Sequence, residues 1–347
     1  MTGPAGPAPR ASVIVPFKNE EATIPLVLDS LARQVVDFPY EVIFADGCST
    51  DRSVEVIRAH PLNARAVVRV LPLPPENHGM NVGRNMGAAA ARAPLLVFMQ
   101  ADVRIRDPGA LARTVRALDE AGVVATTFVG LGAGEDFRAY DFWGQVFLAR
   151  YQGLRCENDF DTKFNGVRRD VFERIGGFDD RRFPYGGEDF DFRVRLAREG
   201  RIVETHVEVE HLHGFGKRHT WQGLLRKYAR NAECMGATTP VYLAHLGQEP
   251  GYLRTLAARL ALCACCIAAP LPWTWPWAAA GVLAFSVAWS AAAYRHVRGP
   301  RLAAVPFFSV AAMYVFTAYY LRGLLGGRVR VKRSEEHTSE LQSRQSI

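Results

Sequence analysis

The chain has 347 residues and a formal net charge of +7, with its basic residues dispersed rather than gathered in one run. That length allows one large domain plus an appendage, and the dispersed charge argues against nucleic acid and for anionic phosphates or a membrane surface as partners. Six cysteines form no CxxC with a matching partner, which leaves neither a zinc site nor a disulfide framework.

Met1 to Arg10 is rich in Pro, Gly and Ala without an apolar core, so it reads as a flexible lead-in and not a signal peptide. Ala11–Pro16 is a first strand, followed by the loop Phe17-Lys18-Asn19-Glu20-Glu21 and a helix carrying Ile24, Leu28 and Leu31 on one face. Glu41–Ala45 is a second strand that ends in Asp46-Gly47-Cys48-Ser49-Thr50-Asp51. A helix follows over Ser53–His60, then a third strand over Ala66–Leu71 and an alanine-rich helix over Asn81–Ala91. Pro94–Met99 is a continuous apolar run ending in Gln100-Ala101-Asp102, the pattern of a buried strand. Alternating strand and helix predicts a doubly wound sheet, and ligands of such sheets gather at the carboxyl ends of the strands.

Asp46 and Asp102 both fall at strand ends and so face one crevice. Asp102 reads either as a turn former or as a ligand for a divalent cation. No GxGxxG follows the first strand and no GxxxxGK[ST] occurs, which excludes a dinucleotide-binding Rossmann domain and a P-loop.

Ser12-Val13-Ile14-Val15-Pro16-Phe17-Lys18-Asn19-Glu20, then Ala45-Asp46-Gly47-Cys48-Ser49-Thr50-Asp51, then Gly83-Arg84-Asn85-Met86-Gly87 before Gln100-Ala101-Asp102, together resemble a family 2 glycosyltransferase. The resemblance implies a GT-A (nucleotide-diphospho-sugar transferase, Rossmann-like) α/β fold with a mainly parallel central sheet. It implies a nucleotide-sugar pocket lined by Pro16, Lys18, Glu20, Asp46, Arg84, Gln100 and Asp102, with Mn²⁺ or Mg²⁺ at Asp102. Gln100 stands where the first Asp of the family's DXD is expected, and a neutral amide is a poorer ligand for a hard cation.

Downstream, a helix is expected over Leu111–Ala121, a strand over Val123–Val129 and an aromatic helix over Asp136–Leu154. Asp170-Val171-Phe172-Glu173 has the form of a capping box, and that helix stops at Gly176-Gly177. Tyr185-Gly186-Gly187-Glu188-Asp189 opens another helix. Its acids are explained either by the helix dipole with i,i+4 partners Arg193 and Arg195, or by a general base. The resemblance favours the second and implies catalytic residues Asp189 and Glu188, with inversion at the anomeric centre. Ile202–His213 is a strand with His211 and His213 on one face, suited equally to a strand end or to the metal. Lys217–Arg230 is a basic amphipathic helix in which Arg226 and Arg230, one turn apart, read either as a solvated face or as candidates for diphosphate or acceptor contact.

Residues 256–325 are dominated by Ala, Leu, Val, Trp and Phe. Leu260–Tyr294, interrupted by Pro270, Pro272 and Pro276, and Leu302–Leu321 give two or three transmembrane helices. The expected organisation is a lead-in (1–10), a GT-A domain (11–235, divided at 130 into nucleotide and acceptor halves) and a membrane region (236–332). Residues 333–347 resemble a translated sequencing-library adapter and are set aside as an artefact. The expected protein is a multi-pass membrane enzyme with a cytosolic catalytic domain. It would move a sugar from a nucleotide-diphosphate donor to a lipid-linked or polysaccharide acceptor; a non-catalytic nucleotide-sugar-binding scaffold is the alternative.

Overall fold

The structure, a computed structural model, describes residues 8–132, 134–183, 187–244, 252–271 and 275–326. The expectations for residues 1–7, for Tyr185 and Gly186, for the break at Pro272 and Trp273, and for the tail beyond 326 lie outside these residues.

The first half follows the predicted alternation: β1 (Ala11–Phe17), α1 (Ile24–Ala32), β2 (Tyr40–Asp46), α2 (Ser53–Ala59), β3 (Val67–Pro72), α3 (Met80–Ala90) and β4 (Leu95–Met99). β1 and β4 are buried along their whole length, as strands covered on both faces must be. The helix α3 lies so close to β1 that a Cβ on Gly87 would stand 2.5 Å from Ile14 Cγ2, so only glycine permits this approach.

β5 (Val103–Ile105), α4 (Ala110–Asp119), β6 (Val123–Leu131), α5 (Phe142–Leu148), β7 (Arg155–Asp159), β8 (Phe164–Arg168), α6 (Arg169–Arg174), α7 (Glu188–Leu196) and β9 (Arg201–His211) complete the α/β part. The strands run in the order β3-β2-β1-β4-β8-β6-β9-β5, with β7 paired to β6. β1 to β4 are parallel, whereas β8 joins β4 antiparallel and β5 joins β9 antiparallel. The sheet is therefore mixed rather than mainly parallel beyond β4.

Two local expectations differ. The aromatic stretch 136–154 is not one helix: Tyr140 is extended and Asp141 starts α5 afresh, its carboxylate accepting from Gly144 N at 2.8 Å. The capping box at Asp170 does not form either, because Arg168 occupies the N-cap and Asp170 lies inside the first turn, paired with Arg168 and Arg174.

The C-terminal part is helical: α8 (Trp221–Ala244), α9 (Tyr252–Ala268), α10 (Trp275–His296) and α11 (Val305–Gly326). α8 runs unbroken through residue 235, where a domain boundary was expected. Among the described residues two helices are long and apolar enough to cross a membrane, Pro276–His296 and Pro300–Gly326. α9, at 17 residues with Arg254 and Arg259 near its start, is shorter than a span requires. α8 and α11 meet at two glycines: a Cβ on Gly236 would strike the Tyr320 carbonyl, and one on Gly323 the Glu233 carbonyl. Tyr228, Phe308 and Ala312 share one apolar cluster with Leu148 of α5, which fixes α8 and α11 to the α/β part.

Candidate active site

A cavity of about 280 Å³ opens at the carboxyl ends of β1, β2 and β4, lined among others by Pro16, Lys18, Glu20, Gln100 and Asp102. Phe17, Leu73, His78 and Met80 add an apolar and aromatic wall to it. Lys18 Nζ lies 3.2 Å from His78 Nε2, and His78 Nδ1 lies 2.8 Å from the Pro75 carbonyl, so the ring donates to that carbonyl and accepts from the lysine. His78 sits in a proline-flanked loop without periodicity, and no pattern in the sequence points to it. Asp46, opposite Phe17 in the register, is not among the residues lining the cavity, and its carboxylate accepts from Ser49 N at 2.9 Å. Glu20 receives Lys217 Nζ at 2.6 Å, which ties the loop after β9 to the loop after β1; burial raises the Glu20 pKa against the pull of this lysine.

Asp102 is positioned by strand pairing. β5 and β9 align Val103 with His211, and Leu212 N donates to the Asp102 carbonyl at 2.8 Å. His211 Nε2 consequently lies 3.1 Å from Asp102 Oδ2. Burial pushes the Asp102 carboxyl upward, but His211, with His213 and Lys227 beside it, holds it well below the usual carboxylate range. The His213 ring lies 3.7 Å from that of His211 and stacks on Tyr151 at 5.1 Å. Burial, reinforced by the neighbouring cations, keeps His213 neutral. One carboxylate plus two imidazoles is a donor set that suits Mn²⁺ better than Mg²⁺, which prefers oxygen throughout. Among the described residues, the group of three whose ligand atoms all lie within 4.8 Å of one another is a different one, Glu157, Glu204 and His206 on β7 and β9, of which Glu157 and His206 are exposed.

Gln100 has a use that a carboxylate could not serve. Its Nε2 donates to the Asp161 carbonyl at 3.0 Å and holds the β7–β8 loop against β4. In that loop Lys163 is paired with Asp161 and stands 3.8 Å from Asp159. Burial and the charge of Asp161 push Asp159 up to about 6.

Asp189 lies in the first turn of α7, its Oδ1 accepting from Phe190 N at 2.8 Å. Burial, then the charges of Glu188 and Asp161, raise its pKa to about 7, the value suited to a base near neutrality. Glu188 points away to Arg84, with Nη1 to Oε1 at 2.8 Å and both side chains buried. Arg84 therefore does not reach the cavity, and the pattern that sequence grouped with the nucleotide pocket is a brace. Asn85 accepts from Phe178 N and donates to Phe178 O, both at 2.9 Å, so α3 holds the chain before α7 at two points.

The cation that α8 turns toward Asp102 is Lys227, not Arg226 or Arg230. One residue is about 100° on a helix, and Arg226 and Arg230 are exposed while Lys227 lies against the Phe147 ring at 4.3 Å. Burial lowers the Lys227 pKa to about 8, partly offset by the pull of Asp102.

With this geometry in view, the likenesses to known proteins fall into one line. Residues 12–176 match the glycosyl transferase family 2 domain. The PGL/p-HBAD biosynthesis glycosyltransferase of Mycobacterium tuberculosis (strain ATCC 25177 / H37Ra) is 31% identical over 206 residues, covering 58% of this chain and 75% of that protein. Validoxylamine A glucosyltransferase of Streptomyces hygroscopicus subsp. limoneus is 27% identical over 239 residues, covering 58% of this chain. The chain spans 50% of the length of that relative, and 17% of the O-antigen biosynthesis protein RfbC of Myxococcus xanthus. A mannosyltransferase from Pyrobaculum calidifontis, solved in complex with GDP-Man and Mn²⁺, covers 92% of this chain and 87% of its own, with a TM-score of 0.54 at 21% identity; this is a likeness of fold. On its matched domain, its 31% relative and its GT-A sheet, the chain belongs to glycosyl transferase family 2.

Proposed function

We propose that the protein is an inverting glycosyltransferase that moves a sugar from a nucleotide-diphosphate donor to a lipid-linked or polysaccharide acceptor at the cytosolic face of a membrane. The observation that carries this reading is the presence of the Asp102–His211 pair together with a half-buried carboxylate, Asp189, poised near neutrality.

In this reading the nucleotide lies in the cavity against Pro16, Phe17, Leu73 and Lys18, and the diphosphate points toward Asp102. Asp102, His211 and His213 would hold Mn²⁺, which when bound supplies positive charge to the leaving diphosphate. Lys227 adds a fixed cation on the same side. Asp189 takes the proton of the acceptor hydroxyl as that oxygen forms its bond to the anomeric carbon. The anomeric carbon–phosphate oxygen bond breaks with its electron pair leaving on the diphosphate. One displacement inverts the centre. Arg84 keeps Glu188 in place beside Asp189 without touching substrate. α10 and α11 supply two apolar helices for anchorage in the bilayer, with Arg295, Arg298 and Arg301 on the turn between them.

The test is nucleotide diphosphate release by the full chain in detergent with Mn²⁺, across UDP-glucose, UDP-N-acetylglucosamine and GDP-mannose, with Asp189→Asn as control. Release that requires Asp189 is the expected result. Absence of release, or equal release by the Asp189→Asn variant, sinks the enzymatic reading. The second reading, a non-catalytic nucleotide-sugar-binding scaffold, is favoured by Gln100 in place of an acidic cation ligand, and binding without turnover in the same assay selects it.

A further inference from the structure

The helix that bears Asp189 is gripped from the C-terminal helices. Phe190, the next residue, stacks on Tyr242 of α8 with ring centroids 3.8 Å apart and planes 12° from parallel. Tyr242 stacks in turn on Tyr252 of α9 at 4.4 Å, again at 12°. The Tyr252 hydroxyl donates to Thr239 Oγ1 at 3.0 Å, and Thr239 Oγ1 lies 3.0 Å from the Tyr320 hydroxyl of α11. Three rings and three hydroxyls thus run unbroken from the first turn of α7 to α8, α9 and α11. On the other side of that turn Gly187 has φ +88°, and a Cβ there would be driven into Thr238 of α8. No side-chain cap holds the N-terminus of α7. Its first turn is fixed by Arg84 below and by this contact with α8 above.

We propose that Tyr242 is a positioning residue for Asp189: its ring, clamped between Phe190 and Tyr252, sets the first turn of α7 and makes the aim of the base depend on the seating of the C-terminal helices. The inference rests on Asp189 being the general base. Parallel stacking at 3.8 Å resists tilting of Phe190, and Asp189 and Phe190 share a peptide bond whose N–H already binds the Asp189 carboxylate. Loosening the stack leaves the nucleotide cavity untouched, because none of the residues lining it belongs to α7, α8 or α9. The chemical step should therefore suffer while donor binding does not.

The test compares Tyr242→Leu with Tyr242→Phe in the full chain, reading kcat and donor KM for nucleotide diphosphate release with the donor panel above, and hydrogen exchange of the amides 188–192. Tyr242→Leu is expected to lower kcat about 10- to 100-fold, the cost of a misplaced catalytic group. Donor KM should stay within about 2-fold, because uniform binding is intact. The amides 188–192 should lose protection while those of β1 and β4 keep theirs. Tyr242→Phe, which keeps the ring, should match the parent in all three. Unchanged kcat and unchanged exchange in Tyr242→Leu overturn the proposal, as does a rise in KM in proportion to the loss of kcat. Should Asp189→Asn keep full turnover, the base assignment fails instead, and the exchange data still decide whether Tyr242 fixes the turn.

Discussion

Arg84 on α3 and Glu188 on α7 form an ion pair at 2.8 Å that joins residues 104 positions apart, with 1% and 7% of their side chains exposed. Removing one partner of a buried pair strands the other charge, at a cost of about 3–5 kcal/mol, whereas replacing both by apolar groups is often neutral. Arg84→Met should therefore destabilise the catalytic domain by about that amount, and Arg84→Met with Glu188→Met should recover most of it. Urea unfolding of the three variants measures this. A single variant as stable as the parent would show that the pair is not the brace.

The second prediction concerns pH. Asp189 is raised from the model-peptide value 3.8 to about 7, so the folded state binds this proton more tightly than the unfolded state. Its contribution to stability then falls as pH rises from about 4 to 7, and Asp189→Asn should flatten that slope. A base must be deprotonated, so kcat/KM should rise with pH through an acid limb near 7. Glu188→Gln removes the neighbouring charge that ranks after burial among the causes of the shift, and should move the limb to lower pH. A limb that stays put in Glu188→Gln contradicts this account.

Cation dependence separates the two metal-capable groups. Asp102→Ala should abolish turnover at any Mn²⁺ concentration. His211→Ala should raise the Mn²⁺ concentration for half-maximal rate at least as far as loss of an outer-shell partner does, about 10- to 100-fold. His206→Ala, on the exposed Glu157–Glu204 group, should leave the Mn²⁺ curve where it was. The reverse ranking of the two histidines would relocate the site.

A fourth prediction uses α8. Lys227→Gln should weaken inhibition by UDP or GDP about 10-fold, equivalent to about 1.4 kcal/mol. Arg226→Gln, one position away on the exposed face, should change it less than about 2-fold. Competition assays with the free nucleotide diphosphate are sufficient, and equal effects of the two substitutions would remove Lys227 from the diphosphate side.

Much of this was legible before any coordinates. The apolar runs of β1, β2 and β4 are fully buried, and fully buried strands announce themselves by composition. Pro16, Lys18, Glu20, Gln100 and Asp102 line one cavity, because strand ends in a wound sheet converge by topology. What sequence could not supply are the long pairings. Arg84 looks like a phosphate ligand until α7 is packed beside α3. Gln100 looks like a defective cation ligand until the Asp161 carbonyl is seen in front of its amide. Lys227 and Arg226 are adjacent letters, and only packing against Phe147 distinguishes them. The helix expected over 136–154 failed for a local reason, since Asp141 is a better start than an interior residue.

The alignment of Val103 with His211 has a further consequence, one of timing. Asp102 is made early in the chain, but its imidazole partner arrives 109 residues later, on the last strand of the sheet. During synthesis the cavity can take shape around β1 to β4 well before the Asp102–His211 contact exists. Closing so distant a contact is slow relative to the local βα units. A nascent chain that has not yet laid β9 beside β5 carries the cavity with the Asp102 carboxylate at its rim and no imidazole beside it. The Asp102–His211 contact is thus among the last that the sheet acquires, formed just before α8 and the apolar helices follow.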